Sequence, residues 1–121
     1  MPKQIFIIED DEQLTDAMCE VLIDAGYEVT VCDNFADVTS ALPTSGVDLI
    51  LLDIYLNEHD GRQIIATVQS NPAYAAVPVV FVTVLNQQDL QDYKPAAVLT
   101  KSFGMHDLLY TVQKVIGHST K

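Results

Sequence analysis

Apolar and polar positions follow two rhythms along this chain. Ile5-Phe6-Ile7-Ile8 is a short unbroken apolar run, the pattern of a strand buried on both faces. From Asp11 to Ala25 the rhythm changes. Leu14, Met18, Val21, Leu22 and Ala25 recur at helical spacing with polar residues between them. Asp11 is placed to cap that helix and Gly26 to stop it. Tyr27 to Cys32 alternates and carries Val29 and Val31, so a second strand is expected. Asn34 is placed to cap a short helix bearing Phe35, Val38, Ala41 and Leu42, which ends before Pro43. Thr44-Ser45-Gly46 is a turn signal.

Val47 to Leu52 is the third and most apolar strand segment. A polar loop from Tyr55 to Asp60 follows, with Asp60-Gly61 read as a turn and helix start. Ile64, Ile65 and Val68 mark a helix that should end near Asn71-Pro72. Val77 to Val82 is rich in β-branched residues and reads as the fourth strand, with Pro78 tolerable near its start. Asn86 to Tyr93 is expected as a short helix and Ala96 to Leu99 as a brief fifth strand. Met105, Leu108, Leu109, Val112, Val115 and Ile116 predict a final helix that stops near Gly117.

The sum is five strand-then-helix units. That alternation predicts a single α/β domain over residues 1–121, with frayed residues at 118–121 and a parallel sheet covered on both faces by helices. In such a sheet every strand ends on the same edge, and ligands sit outside that edge. Four of the expected ends carry notable residues. The first runs into Glu9-Asp10, the third into Asp53, the fourth into Thr83 and the fifth into Thr100-Lys101. If these strands are neighbours, three carboxylates, a hydroxyl and an ammonium converge. Carboxylates delivered together repel unless a cation lies between them. Hard oxygen ligands of this kind suit Mg²⁺. A carboxylate can also be a nucleophile towards a phosphoryl donor, with metal and lysine neutralising the phosphoryl oxygens. No histidine lies at a strand end. Asp11 and Glu12 read as acids favoured by the helix N-terminus, and His59, His106 and His118 as surface residues.

Composition narrows the function classes. The chain has 121 residues, 49% of them apolar, enough for a core of its own. No apolar stretch approaches the ~20 residues of a membrane span. Met-Pro-Lys-Gln runs directly into a strand-like segment with no secretory leader, so a cytoplasmic domain with no membrane partner is expected. The formal net charge is −11 and only six residues are basic. That argues against direct nucleic-acid binding, which needs Lys and Arg on phosphates. Cys19 and Cys32 form no metal-ligand pattern and read as two small buried hydrophobes.

The ordered set resembles the receiver domain of two-component response regulators, over essentially the whole chain. The residues that carry the resemblance are Glu9-Asp10 after an apolar strand, Asp53 after another, Leu56 three residues on, Asp60-Gly61, Thr83 after the fourth strand, and Lys101 before Phe103. The resemblance implies the flavodoxin-like (βα)5 fold, a doubly wound five-stranded parallel sheet in the order 2-1-3-4-5. It implies Asp53 as phosphoacceptor, with Glu9, Asp10, Asp53 and the Tyr55 backbone carbonyl around Mg²⁺. It further implies Thr83 as switch hydroxyl and Lys101 as partner of the phosphoryl oxygens. The donor would be a sensor histidine kinase or a histidine phosphotransfer protein. The output would pass to an effector protein or output domain that the sequence does not name, and a homodimer is compatible with it. Such a protein takes part in its own phosphorylation and is not a turnover enzyme.

Several positions depart from the family pattern. Ser102 follows Lys101 where proline is usual, often after a cis bond. Val84 follows Thr83 where a small residue is usual, Val98 stands where an aromatic residue is frequent, and Asn57 follows Leu56 where proline is common. The segment between Thr83 and Lys101 is short by roughly one helical turn, and Pro95 limits a helix there. Ser102, Val84 and the short fourth segment motivate a rival reading, a receiver-like interaction module that binds partners without phosphorylation. A phosphatase of the aspartate-nucleophile class would want a second acid where Tyr55 stands. Flavin binding would want a phosphate loop where four acids, Glu9 to Glu12, follow the first strand.

Overall fold

Leu49 to Leu52 is buried on both sides because its strand lies in the middle of a sheet with helices above and below. The computed structural model describes residues 2–34, 46–56, 59–60, 62–72, 74–83 and 93–119. The strands are β1 (Gln4–Ile8), β2 (Glu28–Cys32), β3 (Val47–Asp53), β4 (Val79–Thr83) and β5 (Ala97–Thr100). They form one parallel sheet in the order β2-β1-β3-β4-β5, as the resemblance implied. Among the described residues three helices cover it: α1 (Glu12–Asp24), α2 (Arg62–Ser70) and α3 (Met105–Ile116).

Strand alternation divides the core into two layers. Phe6, Ile8, Ile50, Leu52 and Phe81 face one side and pack with Ile64, Ile65 and Val68 of α2. Ile5, Ile7, Leu49, Leu51, Val80, Val82 and Leu99 face the other and pack with Met18 and Leu22 of α1 and Leu108 and Val112 of α3. So α2 lies on one face, α1 and α3 together on the opposite one.

The helix ends follow the sequence closely. The Asp11 side chain accepts a hydrogen bond from the Leu14 backbone N–H at 3.1 Å, the capping bond its position predicted. Gly26 takes φ +99° just past α1, a backbone state that costs glycine little and other residues more. Gly117 does the same after α3 at φ +79°. Beyond it the chain is tied to the start of β1. The Tyr27 hydroxyl donates to the Gly117 carbonyl at 2.6 Å, and the Lys3 backbone N–H donates to Ser119 Oγ at 2.8 Å. Asp11→Ala should lower stability by about 1 kcal/mol, read by urea denaturation, with α1 helicity falling in step. An unchanged midpoint would mean that the cap contributes nothing.

Some expectations shift. The strands β3 and β4 extend one residue further than their apolar runs, so Asp53 and Thr83 are themselves last strand residues. Their pairings, Asp53 with Val82 and Thr83 with Thr100, continue the ladder whatever the side chain. The segment read as a loop from Tyr55 to Asp60 contains a small antiparallel ribbon, Tyr55–Leu56 with His59–Asp60. Backbone pairing needs no apolar periodicity, so a ribbon this short leaves no sequence trace. Cys32 is buried as expected, but Cys19 is only half-buried, because α1 turns it towards the helix flank. The helices expected over 35–42 and 86–93, and the positions Asn57 and Val84, lie outside the described residues, Tyr93 excepted. Tyr93 packs edge-on against Phe81, with ring centroids 6.5 Å apart. No described helix is long and apolar enough to cross a membrane.

Candidate functional site

The site is assembled by register. Ile8 is level with Leu52 across β1 and β3, which sets Glu9 beside Asp53. The Glu9 N–H donates to the Cys32 carbonyl at 3.1 Å, so β1 keeps its strand alternation one residue beyond its end. Glu9 therefore falls on the face of Ile5 and Ile7, and Asp53 on that of Leu49 and Leu51. On β5, Lys101 follows Leu99 by two residues and shares that face. The Lys101 N–H donates to the Thr83 carbonyl at 2.8 Å, which continues the ladder and holds the base of the side chain.

Three strand ends thus aim charged groups at one point above α1 and α3. Lys101 Nζ lies 2.9 Å from Glu9 Oε1 and 3.2 Å from Asp53 Oδ2. Both acids are almost wholly buried, at 2% exposure each, whereas a quarter of the Lys101 side chain reaches solvent. Asp10 is exposed and joins them: Glu9, Asp10 and Asp53 each offer a carboxylate oxygen within 4.8 Å of the others. Thr83 is fully buried at the adjacent strand end. The Lys101-Ser102 peptide bond is trans, so the lysine reaches both acids without the proline usual in the family.

Lys101 is the ammonium that faces Glu9 and Asp53 among the described residues. Among the described residues neither Glu9 oxygen accepts a hydrogen bond; Oε1 has the Lys101 ion pair alone and Oε2 has nothing. An unbonded buried carboxylate is costly. The Glu9 pKa accordingly rises to about 8. Burial is the main cause, followed by the hydrogen bond it would share with Asp53 when protonated and by Asp53 repulsion; Lys101 offsets part of this. Burial pulls the Lys101 pKa down, but the Glu9 and Asp53 carboxylates beside the ammonium outweigh it, and the net shift is upward. Three oxygen donors, one orphaned in the interior, with no thiolate or imidazole among them, fit a hard divalent cation such as Mg²⁺.

The shift of Glu9 sets a pH dependence for the metal-free protein. A carboxyl whose folded pKa lies above its unfolded value near 4.5 stabilises the fold below that value and loses the contribution as pH rises through about 8. Melting in a chelator should therefore show stability falling between pH 5 and 8.5, by on the order of 3 kcal/mol from this group. Glu9→Gln should flatten the slope, and an equally steep slope in that variant would assign it elsewhere.

The sequence reading missed the wall of the site formed by α1 and β2. A recess of about 340 Å³ opens there, lined among the described residues by Glu9, Asp10, Glu12, Thr15, Val31 and Asp33. Thr15 is 9% exposed and its buried hydroxyl has no hydrogen-bond partner. The available signal was its place on the α1 stripe with Met18 and Leu22, a polar residue at apolar spacing. Val98 packs partly buried against the α2-side core.

Comparison with known proteins agrees with this fold. The family model of the response regulator receiver domain matches residues 5–113. The response regulator receiver protein CpdR of Brucella abortus is 29% identical over 118 residues, covering 94% of this chain and 97% of that protein. Other curated relatives are longer, and the chain spans about half of their length, 54% and 51% in two of them. Among solved structures, the chemotaxis response regulator CheY4 of Vibrio cholerae superposes with a TM-score of 0.86 at 21% identity, over 95% of this chain and 99% of that one. The receiver domain of a Pseudomonas aeruginosa sensor histidine kinase, with a magnesium ion coordinated in its active-site cleft, gives 0.84 at 21% identity, over 97% and 99%.

Proposed function

We propose that this chain, which belongs to the response regulator receiver domain family, takes a phosphoryl group from a phosphohistidine onto Asp53 and changes its partner-binding surface in response. The observation that carries the reading is the Lys101 ammonium set between Glu9 and Asp53 beside a third carboxylate. That geometry serves phosphoryl transfer well. An Asp53 oxygen forms the new O–P bond as the P–N bond of the donor breaks. The electron pair returns to the donor imidazole, which takes a proton from water. Lys101 is placed to pair with a phosphoryl oxygen as charge develops there. Glu9, Asp10, Asp53 and the Tyr55 carbonyl would hold Mg²⁺, which when bound neutralises phosphoryl charge. Thr83, buried at the next strand end, is the hydroxyl to bond a phosphoryl oxygen and draw the adjoining loop towards Asp53. The donor would be a histidine kinase or a histidine phosphotransfer protein.

The rival reading, an interaction module that is never phosphorylated, rested partly on Ser102. With a trans bond before Ser102, Lys101 still contacts both acids, which supports the phosphoacceptor reading. Val98 remains a difference in how the site would couple to the β5 face. Intact-protein mass spectrometry after acetyl phosphate and Mg²⁺ separates the two. The expected result is the mass of one phosphoryl group, mapped to Asp53. No gain, with partner binding indifferent to the donor, would establish the module instead.

A further inference from the structure

We infer that the recess between α1 and β2 is a binding site for a free diamine or polyamine, a small molecule whose ammonium groups are joined by an alkyl stem. The site stands apart from the reading of Asp53 as acceptor, because Asp53 is not among the described residues that line it.

The recess is a corner of the fold. Glu9 and Asp10 follow β1, Val31 and Asp33 lie at the end of the neighbouring β2, and Glu12 and Thr15 stand three residues apart at the start of α1. Residues at that spacing share a helix face. A helix N-terminus by itself favours an anion. Four acidic side chains reverse the sign here, and no basic residue lines the recess among the described residues. Within the protein, Glu9 Oε1 pairs with Lys101 at 2.9 Å and Asp33 Oδ1 accepts from the Asn34 amide at 3.0 Å. Two buried polar atoms of the lining residues have no hydrogen-bond partner among the described residues, Glu9 Oε2 and the Thr15 hydroxyl. Glu9 is 2% exposed and Thr15 9%, so bulk water does not satisfy them. Such groups are costly to leave unbonded, and an N–H donor in the recess would answer both the charge and the missing bonds.

Size and wall chemistry select the ligand. The recess holds about 340 Å³, within the ~300–1,000 Å³ of small-molecule sites. A water occupies about 30 Å³, so a lone ammonium or metal ion would leave most of that space to water. Val31, one of the few large apolar residues exposed on the described surface, offers its methyl groups to an alkyl stem. A stem gains by leaving water, and a bare ion does not. The acids come from three separate elements, so ammonium groups at the two ends of one stem can each meet carboxylates.

Glu9 and Asp10 belong both to the recess and to the cluster they form with Asp53. A bound diamine would therefore compete with Mg²⁺ for two of its candidate ligands. By linkage each ligand weakens the other by the same factor. Amine in the recess thus lowers the fraction of the protein that carries the metal.

The test follows amide shifts of ¹⁵N-labelled, metal-free protein at about 0.15 M salt, where loose attraction to an acidic surface is screened. Butane-1,4-diamine and spermidine should move residues 9–15 and 31–33 and bind about tenfold more tightly than butylamine, which brings one charge. Glu12→Gln/Asp33→Asn should weaken the diamine roughly tenfold and Mg²⁺ by no more than about twofold, since neither side chain belongs to the metal cluster. Calorimetric titration should show the apparent Kd for Mg²⁺ rising with diamine concentration. Shifts spread over the whole acidic surface, equal affinity for butylamine and the diamine, or a Mg²⁺ affinity indifferent to the diamine would overturn the inference. Equally tight binding of Nα-acetyllysine amide would assign the recess to a lysine side chain and overturn it too. Wild-type protein that binds no Mg²⁺ would defeat the metal reading, and the diamine titration then decides the recess alone.

Discussion

Asp53→Asn should abolish labelling by acetyl phosphate in the presence of Mg²⁺ while making the metal-free protein more stable. The two effects share one cause. Asp53 is buried at the end of the central strand, 3.2 Å from Lys101, and shares that lysine with Glu9. The amide keeps the shape but is a far weaker nucleophile, so no acyl phosphate forms. It also removes one of two buried carboxylates that share the Lys101 ammonium, which should add roughly 1 kcal/mol to stability in a chelator. Mass spectrometry reads the first effect and thermal melting the second. Undiminished labelling would move the acceptor to another residue. Lost labelling with a large drop in melting temperature would mean that Asp53 is held for structure.

Lys101→Met should do the reverse to stability and slow the chemistry. Methionine keeps an unbranched stem along the pocket wall but removes the ammonium that Glu9 and Asp53, each about 2% exposed, share. Breaking a buried pair by removing one partner costs about 3–5 kcal/mol. The lower end, about 3 kcal/mol, applies here because a quarter of the lysine side chain is in water. The sign with pH follows from the two shifted groups. The lysine pKa is raised, so its contribution is fully present at neutral pH and is lost only above its ordinary range. Glu9 takes up a proton below about 8, which relieves the repulsion the mutant suffers. The deficit in a chelator should therefore be largest near pH 9 and shrink towards pH 5.5. Labelling of Asp53 should slow on the order of 100-fold, the scale of losing one preorganised charge partner in the transition state. A variant as stable as the wild type at pH 9 would show that the ion pairs contribute nothing net.

The same pocket shows how Lys101 reaches the acids with Ser102 after it. Lys101 is aimed by its own backbone bond to the Thr83 carbonyl and by strand alternation from Leu99. A proline after it is not needed to bring Nζ to the acids.

What the sequence alone determined was local. Unbroken apolar runs marked β1 and β3, helical spacing marked α1 and α3, and Asp11, Gly26 and Gly117 marked their ends, because backbone preference and burial act over a few residues. The chemistry was legible for the same reason: in a parallel sheet, whatever follows an apolar strand arrives at one edge, and here that is Glu9, Asp10, Asp53, Thr83 and Lys101. Tertiary structure decided the rest. Only the register of β1 on β3 sets Glu9 level with Asp53. Only β5, two strands away, brings Lys101 between them. The raised pKa of Glu9, the orphaned Thr15 hydroxyl and the recess beside Val31 depend on what surrounds each atom in space, and residues distant along the chain supply those surroundings.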